Sequence, residues 1–359
     1  MTKLFGAVVL SAALAGIGAG VTATAQSGAE PYKLGMFRQN DRTFVGLVVR
    51  DSIIIDLSRA PINAPATLKE FIGRWDSGTA KQLATLAADA AKQRPAAAVD
   101  VKQVETLPPI PDPITLLSAA VNYQEHAVEM RSGSTRAESA TAVDPKVAQG
   151  IPGMWNRKPG DVRQNPYFFP KLRASITGDG DPILIPIDRD RVDWECELAV
   201  IVGRTAKRVT ADQASNYIFG YTLMNDVSDR GGRADGRHGS DWLIGKSHDT
   251  FAPLGPYVVP REFVPDPQKL AIKFTLSGKV MQDSNTDRMT HTVFELVEYA
   301  SHIVTLQPGD ILSTGSPAGV GTARATPIYM KAGDTSVCSI ERIGTLTNPV
   351  QAERPAGTR

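Results

Sequence analysis

The sequence has almost no net charge, few cysteines, few long apolar runs and no internal repeat. Lys and Arg number 39 against 38 Asp and Glu in 359 residues, a formal net charge of +1. That balance excludes the basic footprint of a nucleic-acid binder or a polybasic membrane binder. Two cysteines exclude a disulfide-stapled scaffold and a four-thiolate zinc site. Cys196 and Cys338 either pair or remain two buried, inert thiols, and the second reading is favoured. Beyond the N-terminus no segment is apolar for long enough to span a bilayer.

What is present points to a globular, turn-rich chain. Hydrophobic residues make up 42% and charged residues 21%, enough for a large buried core. Glycine at 31 and proline at 25 lean toward β-rich structure. Lys3 is the only charge near the start, and an apolar run from Leu4 to Val21 ends at Ala23-Thr24-Ala25. A basic start, an apolar middle and a small-x-small end read as a secretory signal over residues 1–25. An uncleaved anchor helix is the alternative. The expectation is an exported, periplasmic protein with no stable membrane insertion after cleavage.

Residues 31–64 read as short strands and 67–93 as helix, within a small N-terminal domain over 26–110. Pro108, Pro109, Pro111 and Pro113 mark a linker. Residues 114–348 read as a larger domain of short strands with a few helices. Within it, 131–165 is polar and small, a lid or a mobile insertion. The tail from 349 to 359 is expected to fray.

Arg191 to Val200 alternates with period two. Glu195 and Glu197 then share a face, about 7 Å apart along the strand, and Asp193 has the same parity. Parallel carboxylates repel unless something positive lies between them. Either a divalent cation or facing Lys and Arg side chains would serve, and hard Mg²⁺, Mn²⁺ or Ca²⁺ prefer oxygen ligands. Asp226 ends the apolar run Ile218–Met224 and is aimed as a third carboxylate at a strand end. Leu116–Val121 reads as a buried strand. Asn122 and Glu125 then resemble a capping box that opens a helix. His126 and Glu129 follow three apart on one face, the spacing of a general base held by a carboxylate, or of an inconsequential surface pair.

Several segments together resemble the fumarylacetoacetate hydrolase family. They are Asn122-Tyr123 with His126 and Glu129, Pro166–Lys171, Asp193–Glu197, Gly220–Ser228 with Arg230, Trp242–Ser247, Asp249–Pro256 and Pro308–Gly321. The resemblance implies a β-rich α+β fold, with a mixed β-sandwich or roll around one metal site, in a homodimer. It implies Mg²⁺ or Mn²⁺ (Ca²⁺ as a further option) on Glu195, Glu197 and Asp226. His126 with Glu129 would activate water. Lys246 would act in catalysis, and Tyr123, Lys171, Arg230 and Thr314 would contact the substrate. Departures are Gly231-Gly232-Arg233 after the arginine and His248 where an aromatic residue is common.

The expected chemistry is hydrolysis of a carbon–carbon bond in a diketo acid, as in the catabolism of aromatic compounds. Attack by activated water would leave an enolate, whose charge a metal stabilises. Decarboxylation of an oxo acid and enol–keto isomerisation are the rivals, since enolate stabilisation serves all three. A non-catalytic exported binding protein for metal or oxo acids is a third reading.

Overall fold

A computed structural model describes residues 30–95, 98–132, 161, 163–232 and 241–355. The expected signal segment, Arg233 and nearly all of the expected lid lie outside these residues. The N-terminal part contributes β1 (Tyr32–Gln39), β2 (Arg42–Val49), β3 (Ile53–Asp56), α1 (Leu68–Gly73), α2 (Ser77–Lys92), β4 (Ala98–Asp100) and β5 (Glu105–Leu107). Next come β6 (Leu116–Ala119), α3 (Gln124–Ser132), β7 (Phe168–Pro170), β8 (Ile176–Thr177), β9 (Ile183–Ile185) and β10 (Val192–Asp193). The centre holds β11 (Cys196–Val202), α4 (Ala211–Ala214), β12 (Ile218–Asn225), β13 (Ser228–Asp229), α5 (Trp242–Lys246) and β14 (Ala252–Pro260). The end is β15 (Ala271–Leu276), β16 (Lys279–Asn285), α6 (Val293–Ile303), β17 (Ile311–Ser313), β18 (Thr335–Ile340) and β19 (Gly344–Ala352).

These elements form the expected β-rich α+β fold. A 12-stranded sheet runs β4-β3-β2-β1-β14-β12-β11-β17-β6-β7, with β5 on β1 and β8 on β14. Leu34 pairs with Val258, so the N-terminal strands continue the sheet of the later segment. A 5-stranded sheet, β16-β15-β18-β19-β9, packs against it. Between the sheets lie Trp194, Cys196, Leu198, Val200, Phe274, Cys338 and Leu346. On the other side, Ala199, Ile201, Met224 and Leu254 meet Leu68, Ile72 and Leu83 of α1 and α2. Strand β11 is therefore covered on both faces, which its alternating sequence does not suggest. No helix among the described residues is long and apolar enough to cross a membrane.

Three local expectations need correction. The helix expected over 67–93 is two helices, because Thr67 caps the first and Asp76 accepts the N–H of Thr79 to start a second. The tail does not fray at 349. Strand β19 runs to Ala352, and its Val350 pairs in parallel with Ile183 and is buried. The two cysteines are not free thiols. Cys196 and Cys338 form a disulfide that joins the two sheets. Sequence parity places Cys196 toward the core correctly, but the facing strand is 142 residues away and carries no local signal.

Candidate active site

Strand register assembles the carboxylates. Cys196 pairs with Asn225 across β11 and β12. Their neighbours Glu195 and Asp226 are therefore brought side by side, and the Asp226 N–H donates to Glu195 O at 2.8 Å. Glu197, two residues along, returns to the same side. One oxygen from each of Glu195, Glu197 and Asp226 lies within 4.8 Å of the others. All three are buried.

Buried acids at this spacing need positive partners. Lys246 supplies one from the end of α5, a short helix started by Asp241, which accepts the N–H groups of Leu243 and Ile244. The Lys246 ammonium donates to Glu195 Oε2 at 2.5 Å and to Asp226 Oδ2 at 2.8 Å. Lys171 donates to Asp226 Oδ1 at 2.6 Å. Arg230 spans Glu195 Oε1 at 2.6 Å and Asp193 Oδ2 at 2.9 Å. Asp193 has the parity of the cluster but another task. It accepts the N–H groups of Gly321 and Thr322 and anchors Arg230.

Glu197 is the least compensated acid. It accepts the Ser313 hydroxyl at 2.5 Å and the Gly315 N–H at 2.9 Å. Burial, then the charges of Asp226 and Glu195, push its carboxyl well above the usual range. For Glu195 burial also works upward, but Lys246, then Arg230 and His126, bring its carboxyl well below that range. An all-oxygen set with one acid under like-charge repulsion fits a hard divalent cation.

An acid whose folded pKa is raised gives up stability as pH rises from its unfolded value through its folded value. A bound cation cancels that loss. Adding Mn²⁺ or Mg²⁺ is thus expected to raise the Tm more in mildly alkaline than in mildly acidic buffer. Thermal melts with and without the metal check this, and an equal gain in both buffers would contradict it.

The dyad lies beside the carboxylates. His126 Nδ1 is 2.7 Å from Glu129 Oε1, and its Nε2 is 3.9 Å from Glu195 Oε1. With Glu129 ionised, Nδ1 carries the proton and Nε2 presents its lone pair to the cluster. The Gly319 N–H donates to Glu129 Oε2 at 2.8 Å, which fixes the second carboxylate oxygen. Gly319 has φ +105°, and a Cβ there would lie 2.2 Å from Met281 O, so only glycine serves. The expected capping box is absent. The Asn122 amide donates to Thr314 O and His291 O, and Glu125 pairs with Arg288. Asn122 therefore ties the start of α3 to the glycine-rich turn instead.

Thr314 and Tyr123, both expected to contact substrate, lie in the packed interior. Both donors of Thr314, its N–H and its hydroxyl, go to Leu198 O, which fastens β11. Tyr123 is fully buried in the inter-sheet core, and its hydroxyl has no hydrogen-bond partner in the structure. Lys171, Arg230 and Lys246 do converge on the site. Other contributors carry no separate sequence signal. Phe169 lies under the Lys246 ammonium at 4.9 Å and packs on Trp242. Gln282 accepts the Cys196 N–H from a strand with no motif of its own. His248 lies 3.6 Å from Asp229 and against Phe251. Burial pushes His291 down to about 4, so it is neutral at ordinary pH.

Known proteins resemble the chain in sequence and in fold. Residues 115–351 match the family model described as fumarylacetoacetate (FAA) hydrolase, C-terminal. A mitochondrial oxaloacetate tautomerase of Xenopus laevis is 34% identical over 328 residues, covering 90% of this chain and 92% of that protein. Among solved structures, 5-carboxymethyl-2-hydroxymuconate delta-isomerase from Mycobacterium smegmatis superposes with a TM-score of 0.62 at 30% identity, over 90% of this chain and 99% of the other. Fumarylacetoacetate hydrolase from Exiguobacterium antarcticum gives a TM-score of 0.69 at 28% identity, over 90% of this chain and 100% of the other. The expectation of periplasmic export is corrected by the Xenopus laevis relative and by one from Bos taurus, 35% identical over 83% of this chain and 83% of the other: both are named as mitochondrial oxaloacetate tautomerases. That expectation rests only on the composition of the first 25 residues.

Proposed function

The chain belongs to the fumarylacetoacetate hydrolase family, and on that premise we propose that it is a keto–enol tautomerase of a 2-oxo dicarboxylic acid such as oxaloacetate. The observation that carries the reading is the His126 ring. Its Nδ1 is tied to Glu129 and its Nε2 faces the carboxylate cluster from 3.9 Å. A base held beside a charge-stabilising site is what proton abstraction next to a carbonyl needs. Support also comes from the tautomerase relative, 34% identical across 90% of this chain.

Glu195, Glu197 and Asp226 would hold Mg²⁺ or Mn²⁺, which would supply Lewis-acid stabilisation of the negative charge that develops on oxygen. His126 Nε2 takes a proton from the carbon beside the carbonyl. Glu129 holds the ring and stabilises the imidazolium that results. The proton returns to oxygen to complete the enol, and the carbon skeleton stays intact. Lys171, Lys246 and Arg230 offset part of the negative charge of the buried acids, and the cation would offset the rest.

Hydrolytic carbon–carbon cleavage becomes the second reading, favoured by the structural likeness to a fumarylacetoacetate hydrolase at 28% identity. The same base would then activate water. The test is to mix the chain, loaded with Mn²⁺, with freshly dissolved enol-form oxaloacetate and with a small acylpyruvate panel. Accelerated decay of the enol absorbance, with only the keto form found by NMR, is the expected outcome. Release of pyruvate and a second acid from an acylpyruvate, with no acceleration of tautomerisation, would install the hydrolase in its place.

A further inference from the structure

Strand β18 stands behind the two strands that carry the carboxylates. Ser336 and Cys338 are two residues apart on β18, so they share a face, and both are buried. Cys338 is joined to Cys196 of β11 through the disulfide. Ser336 Oγ accepts the Asn225 amide of β12 at 3.2 Å. Cys196 and Asn225 are the directly paired residues at the end of the β11–β12 ladder. Cys196 lies between Glu195 and Glu197, and Asn225 immediately precedes Asp226. Every acid of the cluster is therefore one residue from an attachment to β18.

The need for such attachments is visible in the backbone. Glu195 lies between β10 and β11 and belongs to neither strand. Its N–H donates to Asn225 Oδ1 at 3.0 Å, and the Cys196 N–H donates to Gln282 Oε1 at 3.1 Å. Side-chain amides thus replace a ladder where the ligand strand begins. The Trp194 ring stacks at 5.4 Å on Phe274, which pairs with Cys338, so the same sheet also holds the residue before Glu195. Three acids this close repel one another, and the repulsion is strong where little water screens it. A cross-link to a second sheet opposes that separation and keeps the oxygens at binding distance before a cation arrives.

We propose that strand β18, through the Cys196–Cys338 disulfide and the Ser336–Asn225 hydrogen bond, positions the three carboxylates for a divalent cation. The proposal rests on the metal reading above, and its test separates the two. Mn²⁺ affinity is measured by calorimetric titration of the full chain and of three variants. Cys196→Ala/Cys338→Ala is expected to bind Mn²⁺ about 10-fold more weakly, the scale for residues that orient ligands. Ser336→Ala is expected to shift affinity in the same direction and keeps the test alive where the double variant fails to fold. Leu83→Ala, in the buried face of α2 and remote from β18, is expected to lower the Tm and leave the affinity unchanged. Wild-type affinity in both the double variant and Ser336→Ala would overturn the positioning role alone. Absence of Mn²⁺ binding by the wild type would overturn the metal reading as well. Two free thiols in the denatured, unreduced wild type would remove the disulfide from the argument and overturn the proposal.

Discussion

Replacing His126 by alanine is expected to cut turnover by about 10²–10⁴-fold, the usual contribution of a positioned base. Mn²⁺ affinity should stay close to that of the wild type, because the imidazole is 3.9 Å from Glu195 and is not one of the clustered acids. The loss should appear in kcat and in kcat/KM together, since proton transfer is made only in the transition state. Glu129→Gln is the graded companion. It keeps an acceptor for Nδ1 and loses the charge that stabilises the imidazolium, so a smaller loss is expected. Stopped-flow decay of the enol, with metal affinity measured in parallel, checks both variants. Full activity in His126→Ala would place the base elsewhere. Activity lost only in step with metal binding would make His126 a structural neighbour of the carboxylates.

How much of this site is legible in the sequence depends on how local each relation is. Glu195 and Glu197 follow from period-two alternation, and Asp226 from its place after an apolar strand. His126 and Glu129 follow from helical spacing. Their convergence needs the register of β11 against β12, which no single segment encodes. Asp193 shows the limit of parity reasoning. It alternates with the glutamates, yet a break in the strand before Cys196 turns it to Arg230 and to the N–H groups of Gly321 and Thr322. Asn122 shows a second limit. Its spacing to Glu125 imitates a capping box, but burial beside the glycine-rich turn offers its amide two carbonyls, and those bonds win. The disulfide is the least legible feature. Cys338 lies in an ordinary alternating strand, and only the packing of two sheets brings it to Cys196.

The largest effect on stability is expected from Lys246→Met. The Lys246 ammonium lies between Glu195 and Asp226, and its side chain is almost wholly buried. Methionine has similar length and fills the space over Phe169, but leaves the acids short of one positive charge. Removing one member of a buried ion cluster costs about 3–5 kcal/mol, because the remaining charges stay buried and uncompensated. The pH sign is set by Glu195, whose carboxyl Lys246 and Arg230 hold below the usual range against the upward effect of burial. A depressed acid contributes stability that is present above its unfolded pKa and is lost as pH falls through its folded pKa. The variant should therefore lose most at neutral pH, and little in acid where the carboxyls are protonated. Mn²⁺ can take over the missing charge, and at 100 times its Kd a bound ligand restores about 2.7 kcal/mol. Urea melts at neutral and acidic pH, with and without Mn²⁺, read out all three features. A variant equally destabilised at both pH values, and unmoved by Mn²⁺, would show a packing defect rather than a missing counter-charge. Recovery by Mn²⁺ at neutral pH without recovery of enol turnover would assign Lys246 a part in the chemistry beyond balancing the acids.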